Sequence, residues 1–341
     1  MRRSTAGIKD VATTAGVSIG TVSNVLNHPE RVSGPTLRRV QEAIAALGFV
    51  RNESGRQLRA GQSLTIAYVM LNASNPFFTD VARGIEEVAQ ANGLALFICN
   101  SVGDATREAD YLELLAHHRV RGALVSPVTE ADPAIELMER HGLPVVLVDH
   151  RSEGRCCSVR VDDVEGGTLA VSHLVEEGYE RIAFVGGPLT VAHVADRLDG
   201  ARLAVEAAEL PEDTLAVVET TDLSAAEGRR AGQVVASLPR HRRPTAVFCA
   251  NDVLALGLLQ EMHRMGLDVP ADLAIVGYDD IEFAGVAATA LSSVRQPRDL
   301  LGRTAAQLLL AESDADDSHV HQELLFHPEL VVRASSAPRP R

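Results

Sequence analysis

The sequence has no apolar stretch near the roughly 20 residues needed to cross a bilayer. Its longest apolar runs, around 144–148 and 245–250, are far shorter. After the basic Met1-Arg2-Arg3 come Ser, Thr, Ala, Gly, Lys and Asp instead of an apolar h-region, so no secretory signal is read here. Cysteine is scarce: Cys99, Cys156, Cys157 and Cys249 show no CxxC spacing, and the adjacent pair is poorly placed to clamp one metal. Reduced thiols in a cytoplasm are expected, with no membrane partner. Signatures of common enzymes are missing: no GxSxG elbow between a strand and a helix, no P-loop and no GxGxxG after a strand. No catalytic activity and no cofactor are expected. No repeat of fixed period or low-complexity tract appears, and the C-terminus lacks the Leu heptads of a tail coiled coil.

What is present is charge, unevenly spread. The net charge is −14 over 341 residues. Residues 1–62 nevertheless hold nine Lys and Arg against four Asp and Glu, and the remainder holds 23 against 42. A small basic module on an acidic body is implied. A basic arm finds phosphates by electrostatics.

The first segment reads as short helices. Ile8, Val11, Ala12 and Ala15 recur at i, i+3, i+4 and i+7, and Gly16 breaks the pattern. Ser18 is a good N-cap for a second stretch, 19–27, with Val22, Val25 and Leu26 on one face as core. His28-Pro29 stops it. Ser33 and Pro35 open a third helix, with Leu37, Val40, Ile44 and Leu47 as its stripe and Gly48 as its end. Two short helices joined by Ala15-Gly16-Val17 in a basic segment suit a helix-turn-helix, although any small three-helix domain reads similarly. Residues 51–63 are polar, with Arg51, Arg56, Arg59 and a single Leu58, and a free helix this short is marginal in water.

From Leu64 strands and helices alternate. Strands are expected at 65–71, 94–99, 123–126, 145–149, 182–186, 215–219, 246–250 and 274–277. Helices are expected at 78–92, 167–177, 196–208, 224–238 and 252–265. Such alternation implies parallel sheets covered on both faces. The number of candidate strands is large for one open sheet, so two similar α/β lobes are expected, with a disordered tail at 334–341. Polar residues at strand ends then converge on a cleft beyond the carboxyl edges. Asp149 ends one strand, Asn251 and Asp252 follow another, Asp279 ends a third, and Arg197 opens a helix. Asp252 and Asp280 read equally well as helix caps. The cluster Asp314, Asp316, Asp317, His319 and His321 lacks the Gly and spacing of a calcium loop and reads as a solvated acidic loop, so no metal is expected. His117-His118 read as surface residues.

The run from Ile8-Lys9-Asp10-Val11-Ala12 through Ala15-Gly16-Val17-Ser18-Ile19-Gly20-Thr21-Val22-Ser23-Asn24-Val25-Leu26-Asn27 resembles the DNA-binding head of the lactose-repressor (LacI/GalR) family. The blocks Asn75-Pro76-Phe77-Phe78, Asn251-Asp252, Val276-Gly277-Tyr278-Asp279-Asp280 and Gln296-Pro297 resemble that family's effector-binding core. The resemblance spans about 7–333, in order and at family spacing. It implies a helix-turn-helix head at 1–50, a hinge helix at 51–63, and a two-lobed core of periplasmic-binding-protein type at 64–333. It also implies homodimers on near-palindromic operators that respond to small molecules, most often sugars.

Carried over residue by residue, 18–27 is the recognition helix. Ile19, Gly20 and Asn24 stand where base readers lie, while Ser18, Thr21, Ser23 and Asn27 are further DNA contacts. Gly20 and Asn24 depart from much of the family, so operator preference is not inherited. Asn can read adenine with two hydrogen bonds. Arg56 and Leu58 fall in the hinge, with Leu58 as the minor-groove wedge. Gly55 stands where Ala is common and costs a helix roughly 1 kcal/mol, so a hinge that folds only on DNA is expected. In the core, Phe77, Phe78, Asp149, Arg197, Asn251, Asp279 and Gln296 are the implied effector residues. Carboxylates, amides and Arg pair with vicinal hydroxyls, and Phe stacks on a sugar face. Gln296 stands at a lobe crossover, where contact and hinge support are both open.

The expected lobes are 64–161 with 293–322, and 162–292 with 323–333. The expected protein is a cytoplasmic repressor released from a palindromic operator by a sugar-like effector. A co-repressed regulator, needing ligand or a partner protein to grip DNA, uses the same residues with the opposite sign. A periplasmic sugar-binding protein and an α/β enzyme are the other readings, opposed by the basic head and by the missing motifs.

Overall fold

The computed structural model describes residues 6–49, 63–129, 132–315 and 319–337. The chain divides into a head ending at Gln62 and a core beginning at Ser63.

The head holds α1 (Ile8–Ala15), α2 (Ile19–Asn27), a single 3-10 turn (Pro29–Arg31) and α3 (Gly34–Leu47). Gly16 takes a left-handed conformation, φ 65°, which ends α1 and lets the Val17 amide reach back to the Ala12 carbonyl at 3.0 Å. Ser18 Oγ accepts from the Thr21 amide at 3.1 Å and so starts α2. Val11, Ala12, Ala15, Val22, Val25, Val40 and Ala43 close the core of this small unit. Val22 and Val25 are therefore packing residues.

The strands of the core are, in chain order, β1 (Thr65–Met70), β2 (Ala95–Asn100), β3 (Ala123–Val125), β4 (Val145–Val148), β5 (Cys157–Val161), β6 (Ile182–Gly186), β7 (Leu215–Glu219), β8 (Ala246–Cys249), β9 (Ala274–Asp279), β10 (Ser292–Arg295), β11 (Glu323–Phe326) and β12 (Glu329–Val331). They form two sheets, ordered β11-β5-β4-β3-β1-β2 and β12-β10-β9-β8-β6-β7. All neighbours are parallel except β12, which runs antiparallel to β10. The helices are α4 (Pro76–Ala91), α5 (Ala105–His117), α6 (Asp132–Arg140), α7 (Asp163–Glu176), α8 (Ala192–Ala207), α9 (Ala225–Ser237), α10 (Asp252–Arg264), α11 (Glu282–Val286) and α12 (Arg298–Asp314). Alternation along β1 shows why both sheet faces are covered. Ile66, Tyr68 and Met70 enter one apolar cluster with α4 and α12, while Ala67 and Val69 enter another with α5 and α6.

Two expectations need correction. The lobe boundaries shift at both late crossovers: β10 pairs with β9 and so belongs to the second lobe, and β11 pairs with β5 and so belongs to the first. The chain therefore crosses at 295–298 and 326–329, not at 293 and 323. The start of the expected disordered tail is also ordered. Ser335 and Ser336 are fully buried, with Ser335 Oγ donating to the Ile275 carbonyl at 2.6 Å and Ser336 Oγ bonded to Ser292 Oγ at 2.7 Å. Hydroxyls that looked like tail polarity stitch the end of the chain onto the second sheet. The rest of that tail, and the hinge with Arg56 and Leu58, lie outside the described residues.

Candidate functional site

In the head, α2 presents an exposed face. Ile19 is 46% exposed, and Gly20, Asn24 and Asn27 also face outward, whereas Thr21 and Ser23 are half-buried. Several hydroxyls and amides here already serve the helix. Ser18 Oγ and Thr21 Oγ1 share a hydrogen bond at 2.9 Å, and Asn27 Nδ2 donates to the Ser23 carbonyl at 2.9 Å. Residues 16–20 spell the letters GxSxG, but Ser18 stands between two helices and caps the second, so no nucleophile elbow exists there.

In the core, a cleft of about 730 Å³ opens between the two lobes at the carboxyl edges of both sheets. Phe77, Phe78 and Asp149 line it from the first lobe, and Arg197, Asn251 and Asp279 from the second. Gln296 does not line the cleft. It is buried and its Nε2 donates to Asp279 Oδ1 at 2.7 Å, so it supports Asp279 instead of facing a ligand. Phe77 and Phe78 pack edge to face with centroids 5.0 Å apart.

Asp279 is the junction. Its Oδ2 accepts from Asn75 Nδ2 of the first lobe at 3.0 Å, and Arg298 at the start of α12 donates to its carbonyl. Burial raises its pKa, opposed by Arg197, Asn75 and Gln296. Its φ of 104° lies in the left-handed half of the map, as does the φ of 62° at Asp149. Such backbone strain in a non-Gly residue persists only where the surroundings impose it, and it gathers at functional sites. A second interlobe contact joins Arg151 to Asp196 at 2.9 Å.

Arg197 sits deeper than its expected place at a helix start, because α8 begins at Ala192. It is 2% exposed, donates from Nε to Asp163 Oδ1 at 2.8 Å and from Nη1 to the Ala250 carbonyl at 2.7 Å, and lies 3.7 Å from the Tyr278 ring centroid. Burial lowers its pKa, but the neighbouring acids outweigh that and hold the guanidinium charged. Two glycines set this geometry. A Cβ at Gly167 would fall 2.0 Å from the Arg197 carbonyl, and one at Gly200 would fall 2.0 Å from the Val164 carbonyl, so α7 and α8 touch backbone to backbone.

Asp149 has a buried Oδ1 with no hydrogen-bond partner among the described residues. Burial pushes its pKa well above the usual carboxylate value, Asp163 adds to this, Arg197 opposes it and Asp279 adds again. Three carboxylates thus surround one guanidinium. His193, also in the cleft, is held neutral by burial and by the nearby charge of Arg197.

Asn251 uses its amide locally. Oδ1 accepts from the Leu254 amide at 2.8 Å as the N-cap of α10, and Nδ2 donates to the Leu223 carbonyl at 3.3 Å. Asp252 and Asp280 are not N-caps. Asp252 accepts from Ser293 Oγ at 2.7 Å and from the Ile281 amide at 2.8 Å, and Asp280 pairs with Arg295 and Arg333. Asp163 and His193 had no periodicity or spacing that singled them out, and Asn75 and Tyr278 appeared only within family blocks, without a role of their own. They matter through partners distant in sequence.

Comparison with known proteins adds three kinds of likeness. A model of bacterial regulatory proteins of the lacI family matches residues 7–52, and a model of periplasmic binding protein-like domains matches residues 171–336. The HTH-type transcriptional repressor PurR of Aliivibrio fischeri is 34% identical over 98% of this chain and 99% of its own length. The lac repressor dimer solved with operator and the anti-inducer ONPF superposes with a TM-score of 0.83 at 27% identity, covering 98% of this chain and 99% of that one. A LacI family transcriptional regulator from Enterococcus faecium, solved with bound ribose, gives a TM-score of 0.74 at 29% identity over 81% of this chain and all of that one. A CelR–cellobiose complex gives 0.70 at 29% identity over 97% of this chain and 99% of that one.

Proposed function

The chain belongs to the lacI family of bacterial regulatory proteins, and from that premise we propose how it reads DNA and senses its effector. It is a DNA-binding repressor controlled by a small molecule. The proposed effector is a small sugar in the interlobe cleft, and its arrival releases the operator. The proposed protein has no catalytic activity, in keeping with repressor relatives.

The observation that carries this reading is the meeting of Asp149, Arg197 and Asp279 from two lobes around one cleft. Carboxylates accept from sugar hydroxyls, and the face of an aromatic pair suits an apolar sugar face. Ribose and cellobiose in related structures support the class of ligand. A ligand moves an equilibrium only by its difference in affinity for the two states. Asn75–Asp279 and Arg151–Asp196 bridge the lobes, and a guest in the cleft is proposed to shift the balance between a bridged and an unbridged arrangement. The hinge at 51–63 is the proposed receiver of that motion.

On DNA, α2 is the proposed recognition helix, with Ile19, Gly20 and Asn24 toward base edges and Ser18, Thr21, Ser23 and Asn27 toward the backbone; Arg56 and Leu58 are proposed hinge contacts. A second copy is proposed to cover the edge strand β2, where Phe97 and Ile98 are 48% and 55% exposed. Melting curves with a panel of sugars and purines test the ligand class, because a ligand of the native state raises the melting temperature. Stabilisation by a sugar supports the reading, and stabilisation by purines alone displaces it.

A further inference from the structure

We propose that the first lobe carries a divalent-metal site of the kind zinc fills, formed by Cys157, Glu312, His319 and His321. These donors come from separate stretches: Cys157 opens β5, Glu312 lies in the last turn of α12, and the two histidines precede β11. Cys157 Sγ lies 3.2 Å from His319 Nε2 and 4.0 Å from His321 Nδ1. His319 Nε2 lies 3.9 Å from Glu312 Oε2, and all four donor atoms fall within 4.8 Å of one another. Around a tetrahedral zinc, with bonds of about 2.0–2.3 Å, donors sit about 3.3–3.8 Å apart. One ion reaches all four after small side-chain shifts.

Two further observations ask for an ion. Among the described residues, Glu312 Oε2 is buried without a hydrogen-bond partner. The Gln322 amide donates to Cys157 Sγ at 3.4 Å, the outer-shell bond that steadies a ligating sulfur. A thiolate with two imidazoles and one carboxylate suits zinc, whereas magnesium and calcium require oxygen throughout. On binding, the Cys157 thiol releases its proton and the sulfur pair forms the metal bond. The imidazoles donate neutral nitrogen pairs, and no electron is transferred.

The reading of 314–321 as a solvated acidic loop missed this because the cysteine lies far back in the chain. Asp314, the first residue of that cluster, pairs with Arg121. The site sits where the strands of the first sheet begin, the edge at which β1 starts, opposite the effector cleft. Metal and effector therefore do not compete. The ion would tie the end of α12 and the segment 319–321 to β5.

The test uses the full chain, stripped with a chelator, reduced, and titrated with Co²⁺ and then Zn²⁺. Expected are one Co²⁺ per chain, the intense absorption of a tetrahedral site with a thiolate charge-transfer band, and displacement by Zn²⁺. Cys157→Ser should remove that band. His321 is exposed, so His321→Ala tests the site without disturbing packing and should weaken Zn²⁺ at least tenfold. His327→Ala serves as control, since Asp162, Glu165 and His327 form another acidic-histidine group, and it should leave binding unchanged. A weak octahedral cobalt spectrum, unaltered Zn²⁺ affinity in His321→Ala, or loss of binding in His327→Ala would overturn the assignment.

Discussion

Asn75 Nδ2 donates to Asp279 Oδ2 at 3.0 Å, joining the start of α4 in the first lobe to the end of β9 in the second. The same Asn75 accepts from the Phe77 amide at 3.1 Å and so caps α4. Asn75→Asp separates these roles, because Asp still caps but sets a carboxylate against a carboxylate. One of the pair must then hold a proton, which raises its folded pKa. Stability tied to that proton is present at low pH and lost as pH rises through the raised value. As pH rises from about 3.9, the ordinary Asp value, toward neutrality, the variant should lose more melting temperature than wild type. Parallel melting curves would show that the interlobe bond is unimportant.

The head offers a cleaner separation of fold from reading. Asn24 is exposed on α2, so Asn24→Ala should leave the melting temperature unchanged. If it reads an adenine, the change should cost about 1–3 kcal/mol of operator affinity and relax preference at one position. At Gly20 an added Cβ meets Ser18 Oγ at 3.6 Å, ordinary contact. Gly20→Ala should therefore fold normally yet weaken operator binding if DNA approaches closely there. Competition against a randomised operator library measures both. Unchanged preference in both variants would move base reading off this face.

Asp149 provides a pH signature. Its folded pKa is raised by burial, then by Asp163, so the native state holds a proton that the unfolded chain releases at about pH 3.9. Stability from that proton is complete below this value and fades as pH rises toward the folded value. Asn removes the titration and tolerates the left-handed φ. Asp149→Asn should match wild type near pH 4 and melt higher near pH 7. A lower melting temperature near pH 7 would mean that an ionised Asp149 stabilises the fold.

Gly167→Ala should be among the most damaging small changes in the core, because its Cβ would meet the Arg197 carbonyl at 2.0 Å. Separating α7 from α8 also draws Arg197 from Asp163. Overpacking costs typically 1–3 kcal/mol, and a broken buried ion pair costs more. Gly285→Ala is the comparison, since the nearest atoms to its Cβ are those of Arg333 at 4.0 Å. Denaturant titrations should separate the two clearly, and equal midpoints would refute the backbone contact.

The alternation from Leu64 made two parallel sheets legible because β1, β4, β6, β8 and β9 are buried apolar runs. β10, with the sequence SSVR, carried no such signal. Ser292 and Ser293 are fully buried only because hydroxyl partners lie at Arg333 and Asp252. Missing β10 and β11 moved both lobe crossovers by a few residues. Asp149, Arg197 and Asp279 were visible as polar residues at strand or helix ends. Their electrostatics were not, since Asp163 and Tyr278 reach Arg197 only through the packing of α7 on α8. Asn75 looked like part of a family block, and its bond across the lobes depends on how they meet.

The most direct test of the account is fluorescence anisotropy of the full chain on a near-palindromic duplex recovered by binding-site selection, titrated with ribose and cellobiose. The sugar that raises the melting temperature should also lower operator affinity. Asp279→Ala should need roughly 10- to 150-fold more sugar for release, the equivalent of about 1.5–3 kcal/mol for a charged hydrogen bond. Operator affinity that rises when the stabilising ligand is added would contradict the release of DNA by effector.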